Sequence, residues 1–176
     1  MAYDYKKLSR QNKDNSPGVT TRAWMAPKRT FTSIAKPVDP PVNPGDKIRI
    51  SDDHEFDVAD GFIQIYATQD TASISSEITG EMDSRGLSKT AEFFYPGLGA
   101  EALEFADEAK NDEWIILFEN LDGTILQIGS EMLPAEITHA LATGTLSSDK
   151  KGITFTVNNF GKLYVYEGVV TEKPIV

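Results

Sequence analysis

The chain has 176 residues, a quarter of them charged, with a formal net charge of -10 and no cysteine. That length suits a single domain that buries a core without covalent staples, and the missing thiols exclude disulfides, thiolate metal centres and cysteine nucleophiles. His54 and His139 are the only imidazoles, so a zinc site or a Ser-His-Asp triad has little to draw on and no acid, base and nucleophile constellation points to an enzyme or a cofactor.

The charge is unevenly placed. Residues 1–45 hold eight basic and three acidic residues, a balance of +5, and the remainder holds nine against twenty-four, a balance of -15. A basic arm on an acidic body is self-complementary between copies and steers them together at modest salt. A solvated, disordered tail is the plainer alternative for this stretch. A nucleic-acid arm would need clustered cations with aromatic stacking, and here the charges are dispersed beside a body that repels phosphate.

Within residues 1–45, Pro17-Gly18, Pro27, Pro37, Pro40-Pro41 and Pro44-Gly45 interrupt any regular period. Between these breakers lie Arg22, Trp24, Met25, Arg29, Phe31 and Ile34, and a purely solvating tail has no use for such large apolar groups. Burying one contributes on the order of 1.5 to 3 kcal/mol. The pattern predicts an extended N-terminal arm that straps a neighbouring subunit through these six residues, and a body from 46 to 176 that folds without it.

The body opens with an alternating strand at 47–50. Asp52, Asp53, His54, Glu55, Asp57 and Asp60 follow as an oxygen-rich loop; their spacing is not that of a calcium-binding EF-hand, and a solvated acidic loop is the expectation. Strands are predicted at 62–68 and 89–95. The Ser- and Thr-rich stretch 68–79 between them has few apolar points, so its register needs a partner, and a loop spans 80–86. Gly97, Gly99 and Ala102 match the G-x-G-x-x-A spacing of dinucleotide-binding turns, but Glu101, Glu104, Asp107 and Glu108 would surround a pyrophosphate with negative charge. A plain junction into a helix at about 100–110 is the better account, with Ala102, Leu103, Ala106 and Ala109 on one stripe.

Trp114-Ile115-Ile116-Leu117-Phe118 reads as a strand covered on both faces. Asp122-Gly123 supplies a tight reversal and 124–129 returns, giving a hairpin at the centre of the core. Further strands are expected at 137–143, 153–157 and 163–166, with a turn at 158–161. His139 is expected to be a core or edge residue. About eight strands joined by short turns around one helix predict a mainly β fold, an antiparallel β-sandwich or barrel with one packed α-helix and the extended arm.

The strand-helix-strand order around 100–110, the polar stretch 68–79, the arm before Asp46 and the segments 122–129 and 151–157 together resemble the tail-tube proteins of long-tailed bacteriophages. That resemblance implies hexameric rings of one structural virion protein, stacked with other tail proteins into a tube, made in the host cytoplasm and located in the virion. It also implies arms and long loops that bind neighbouring rings. DNA would pass without specific binding and no membrane is involved. A conduit for DNA must not hold the phosphates it passes, and Asp70, Glu77, Glu81 and Asp83 are candidates for such a lining. Other candidates are a capsid-decorating or tail-completion protein, and a carbohydrate-binding β-sandwich presenting Trp24, Tyr66, Tyr164 and Tyr166.

Overall fold

A computed structural model describes residues 17–147 and 149–175. The first half of the chain forms β1 (Val19–Pro27), β2 (Phe31–Ser33), β3 (Arg49–Ile50), β4 (Glu55–Phe56), β5 (Ile63–Tyr66), β6 (Ser73–Thr79) and β7 (Gly86–Pro96). Helix α1 (Ala100–Ala109) follows, then β8 (Trp114–Asn120), β9 (Ile125–Ile128), β10 (Glu136–Ala142), β11 (Gly152–Phe160) and β12 (Tyr164–Tyr166). They make a six-stranded sheet in the order β3-β12-β9-β8-β1-β5, a four-stranded sheet in the order β10-β11-β7-β6 and a small pair, β2-β4. Every named pairing is antiparallel except β12 with β3.

The six-stranded sheet is buried on both faces, which explains its sequence. Along β8, Trp114, Ile116 and Phe118 enter one core while Ile115 and Leu117 enter the other, so alternation disappears into a continuous apolar run. Ala23 and Met25 of β1 join the first core, and Trp24 and Ala26 the second. The first core lies between the two large sheets and includes Ala91, Phe93, Phe155 and Val157 from the four-stranded sheet and Ala106 and Ala109 from α1. The second is roofed by the segment carrying Phe31, Ile34, Phe56 and Phe62, whose rings meet edge to face or tilted at 4.3–5.7 Å.

Local chemistry sets the joints. Asn120 and Thr124 close the β8-β9 hairpin, Asp122 Oδ1 accepts the Thr124 N–H at 2.8 Å, and Gly123 takes φ +85°. Gly129 ends β9 at φ +98°, where an added Cβ would stand 2.7 Å from the Trp114 carbonyl oxygen, so only glycine fits without strain. At the end of α1, Trp114 Nε1–H donates to the Ala109 carbonyl at 3.0 Å and ties helix to strand.

The antiparallel sandwich with one helix stands, and among the described residues neither large sheet closes into a barrel. The arm boundary at 45 is corrected. β1 lies inside the six-stranded sheet between β8 and β5, with Ala23 opposite Phe118 and Ile65. The prolines misled because Pro27 sits at the last position of β1 and Pro17 lies before the first, where no ladder hydrogen bond is lost. Residues 1–16 of the expected arm lie outside the described residues. The expected turn at 158–161 is also shorter, since β11 runs to Phe160. Among the described residues no helix is long and apolar enough to cross a membrane.

Two buried polar side chains hold the joints between layers. Lys89 of β7, 1% exposed, donates to the carbonyls of Gly161 and Lys162 at 2.5 and 2.9 Å, where the chain passes from one large sheet to the other. Burial lowers its ammonium pKa to about 8. His54, 3% exposed, accepts the Ala35 N–H at Nδ1 (3.0 Å), so Nε2 carries the hydrogen and donates to Gln127 Oε1 at 2.8 Å. Its ring stacks on Tyr166 at 4.7 Å.

Burial holds His54 below its ordinary 6.5, against the raising effects of Gln127 and Asp53. The folded ring is therefore neutral, and the unfolded chain takes up the proton first. The resulting stability is whole above pH 6.5 and is lost progressively as pH falls below it, until the folded ring also protonates. Urea melts between pH 7.5 and 5.5 should show a larger loss for the wild type than for His54→Gln. At pH 7.5, His54→Ala should cost about 1–3 kcal/mol, because it leaves a buried N–H and amide unpaired.

Candidate assembly surface

Among the described residues, only the four-stranded sheet presents a free face. Cross-strand register and alternation place Ala91, Phe93, Phe155 and Val157 inward, so their neighbours point out. The outward residues are Ser73, Ser75, Glu77 and Thr79 of β6, Ser88, Thr90, Glu92 and Phe94 of β7, Thr154, Thr156, Asn158 and Phe160 of β11, and Glu136, Thr138, Ala140 and Ala142 of β10. Hydroxyls, one amide and three carboxylates cover the middle, with an aromatic ring towards each end. None of these residues is a lysine or arginine. Lys150 reaches the rim, its Nζ 5.6 Å from the Phe94 ring centre.

Among the described residues this sheet also ends in β6 and β10, each of seven residues and paired along one side only. Such edges carry rows of backbone donors and acceptors able to pair with another chain. β6 is exposed along nearly its whole length, and its inward Ile78 is 69% exposed. The weak register expected of 68–79 is therefore supplied by β7, which pairs residue for residue from Ser73–Glu92 to Thr79–Gly86.

Of the proposed lining residues, Glu77 stands on this outer face. Asp70 occupies the turn before β6 at φ +61°, and Glu81 and Asp83 occupy the loop between β6 and β7. The structure thus sets one of the four on the face and three at its ends. It adds Glu92 and Glu136, which the sequence reading missed because one exposed carboxylate in a strand carries no signal of which sheet it faces.

The six expected arm contacts do not form one free surface. Trp24, Met25 and Ile34 are 5%, 0% and 9% exposed within their own chain, and Trp24 Nε1–H donates to Glu172 Oε1 at 2.8 Å. These three are corrected from subunit contacts to core. Phe31 packs on Phe56 at 4.3 Å. Arg22 pairs with Glu119 at 2.7 Å, and Arg29 pairs with Asp112. The basic segment meets acidic partners as expected, but inside one molecule.

Gly97 turns at φ +99° and Gly99 precedes α1 in extended conformation, making the plain loop-to-helix junction. In the acidic loop, His54 turns inward while Asp53 Oδ1 accepts the Val169 N–H at 2.6 Å. Among the described residues no three His, Asp or Glu converge as metal ligands. Of the aromatics weighed for sugar binding, Trp24 and Tyr166 are core residues and Tyr66 is 49% exposed. His139 faces inward, 6.5 Å from the Phe155 ring, with Nδ1 buried and unpaired among the described residues.

The core positions of Trp24 and Met25 give a direct test. Met25→Ala should destabilise the isolated chain by about 2–5 kcal/mol, and Trp24→Ala by about 3–5 kcal/mol, in urea melts at concentrations where no assembly occurs. Unchanged monomer stability would return both residues to an intersubunit role. No family model, no curated protein and no solved structure matches this chain.

Proposed function

We propose that this chain is a structural virion protein that joins copies of itself through β6 and β10 into rings, and that the rings stack as a phage tail tube for DNA. One observation carries the reading: a four-stranded antiparallel sheet with two open edges and a free face of hydroxyls and carboxylates.

Strand direction makes the edges compatible. β7 opposes β6 and β11, and β10 opposes β11, so β6 and β10 run in opposite directions. Copies related by rotation about a common axis place β6 of one beside β10 of the next, and an even number of strands keeps every junction antiparallel. Such head-to-tail contacts close into rings when the rotation closes. Closure also removes the edges that would otherwise aggregate. Six copies would place about 24 strands around a barrel roughly 40 Å across at about 4.8 Å per strand, leaving an aqueous bore.

The free face suits such a bore. Glu77, Glu92 and Glu136 repel phosphate, and the serine and threonine hydroxyls keep the wall wetted without fixing charge. A capsid-decorating or tail-completion protein would use the same body but would give single rings or monomers.

Negative-stain micrographs of purified protein over a range of concentration and salt should show annular or tubular objects with a central hole. Monomers under every condition would overturn the reading. Replacing Glu77, Glu92 and Glu136 together by lysine should leave the fold intact and make the assemblies retain DNA in a filter assay at low salt, with release as salt rises; wild-type assemblies should retain little.

A further inference from the structure

Between β5 and α1 the sandwich stands open. The cleft there encloses about 440 Å³ over a floor of Ile63, Ile65, Ala102, Phe105 and Phe155. Phe105 fixes that floor, its ring meeting Phe155 edge to face at 6.0 Å and Trp114 at 6.1 Å. Small-molecule sites join an apolar cavity of roughly 300–1,000 Å³ to a few convergent polar groups, and this cleft does the same.

Its rim is rich in acceptors. Glu101 lies in the first turn of α1, one helical turn before Phe105 and on the same face. It is the one charged residue among the described residues that line the cleft, and it has no ion pair among them. Opposite it runs the outer edge of β5, the last strand of its sheet. Ala67 N–H donates to the Thr21 carbonyl, and Ile65 and Ile63 face Ala23 and Met25 of β1. Backbone groups alternate along a strand, so Gln64 and Tyr66 turn their carbonyls away from β1 towards the cleft that they line. The C-terminal segment covers only Phe62, through bonds with Thr171 and Lys173. At the other end Thr68 N–H donates to the Phe94 carbonyl, which draws the chain against β7 and sets Tyr95 in the wall.

The charge of the cleft is not neutralised from nearby. An adjoining slot of about 190 Å³ shares Ile63 and Phe105, and its two cations are taken: Arg29 pairs with Asp112, and Lys173 with Asp60. Glu101 and a net charge of -10 disfavour an anion. A neutral apolar molecule would strip water from a carboxylate and two carbonyls without replacing it. An ammonium group carries three donors and no acceptor, which answers both demands.

We propose that this cleft binds a small amphipathic organic cation, its apolar body lying on Phe105 between β5 and α1 and its primary ammonium held by Glu101 and the Gln64 and Tyr66 carbonyls. The site lies within one chain and stands apart from the ring assembly.

Phenethylamine is the probe. Titrated into the ¹⁵N-labelled full chain at concentrations where no assembly occurs, it should shift the amides of residues 63–66 and 101–105 saturably. Phenethyl alcohol, with the same body and a neutral head, should bind about fivefold more weakly, the factor expected of one exposed ion pair. Phenylpropanoate should not bind. Acetyl-lysine amide, which offers the ammonium of a protein side chain without the ring, should also lose about fivefold. Glu101→Gln should cost phenethylamine the same factor and leave the alcohol unchanged, a split that a disturbed helix would not give. Ala102→Leu fills the cleft and should weaken both, whereas Glu136→Gln on the outer sheet face should affect neither. Equal affinity for amine and alcohol, equal affinity for acetyl-lysine amide, a loss with Glu136→Gln as large as with Glu101→Gln, or shifts that fall elsewhere or never saturate would each overturn the inference.

Discussion

The pairing of β1 with β8 is the contact on which the molecule depends. It joins the first described strand to the most apolar one, with six partner positions from Val19–Asn120 to Pro27–Trp114. It also places Trp24 and Met25 on opposite faces of one sheet, each in its own core. A sheet buried on both faces must be covered twice. The four-stranded sheet and α1 cover one side, and the looping segment from Phe31 to Phe62 covers the other. Two hydrophobic layers, each worth about 25 cal/mol for every Å² of apolar surface removed from water, thus share a single set of strands.

That arrangement leaves the layers unequal. The inner sheet spends both faces on packing, so among the described residues it is the four-stranded sheet that keeps a free face, along with two open edges. Buried polar groups hold the layers in register. Lys89 gathers two carbonyls at the crossing between sheets, Asn159 Nδ2 donates to Leu133 and Pro134 at 2.8 and 2.9 Å, and His54 links the roofing segment to β9. Each is satisfied where a bare carbonyl or N–H would weaken the core. The outer face of the four-stranded sheet can remain polar because stability is supplied on the other side of the same strands.

The N-terminal segment shows how one composition serves two outcomes. Arg22, Lys28 and Arg29 are attracted to acidic residues, as the charge layout implies, yet their partners Glu119, Glu113 and Asp112 belong to the same chain. Charge arithmetic reports attraction without reporting address. Anchors such as Trp24 are equally uninformative about address, since a side chain of that size packs as well in its own core as against a neighbour.

The residues by themselves determined the mainly β class, the one helix at about 100–110, the β8-β9 hairpin through Asp122-Gly123 and the doubly covered strand at Trp114–Phe118. Those follow from local propensity, turn chemistry and uninterrupted apolar runs, which act over a few residues. The place of β1, the inward turn of His54 from an acidic loop, the buried Lys89 and the gathering of Glu77, Glu92 and Glu136 on one face were decided only by tertiary structure. Each depends on which strands become neighbours, and that is set by pairing between segments tens of residues apart, where the period along one strand carries no information about the other.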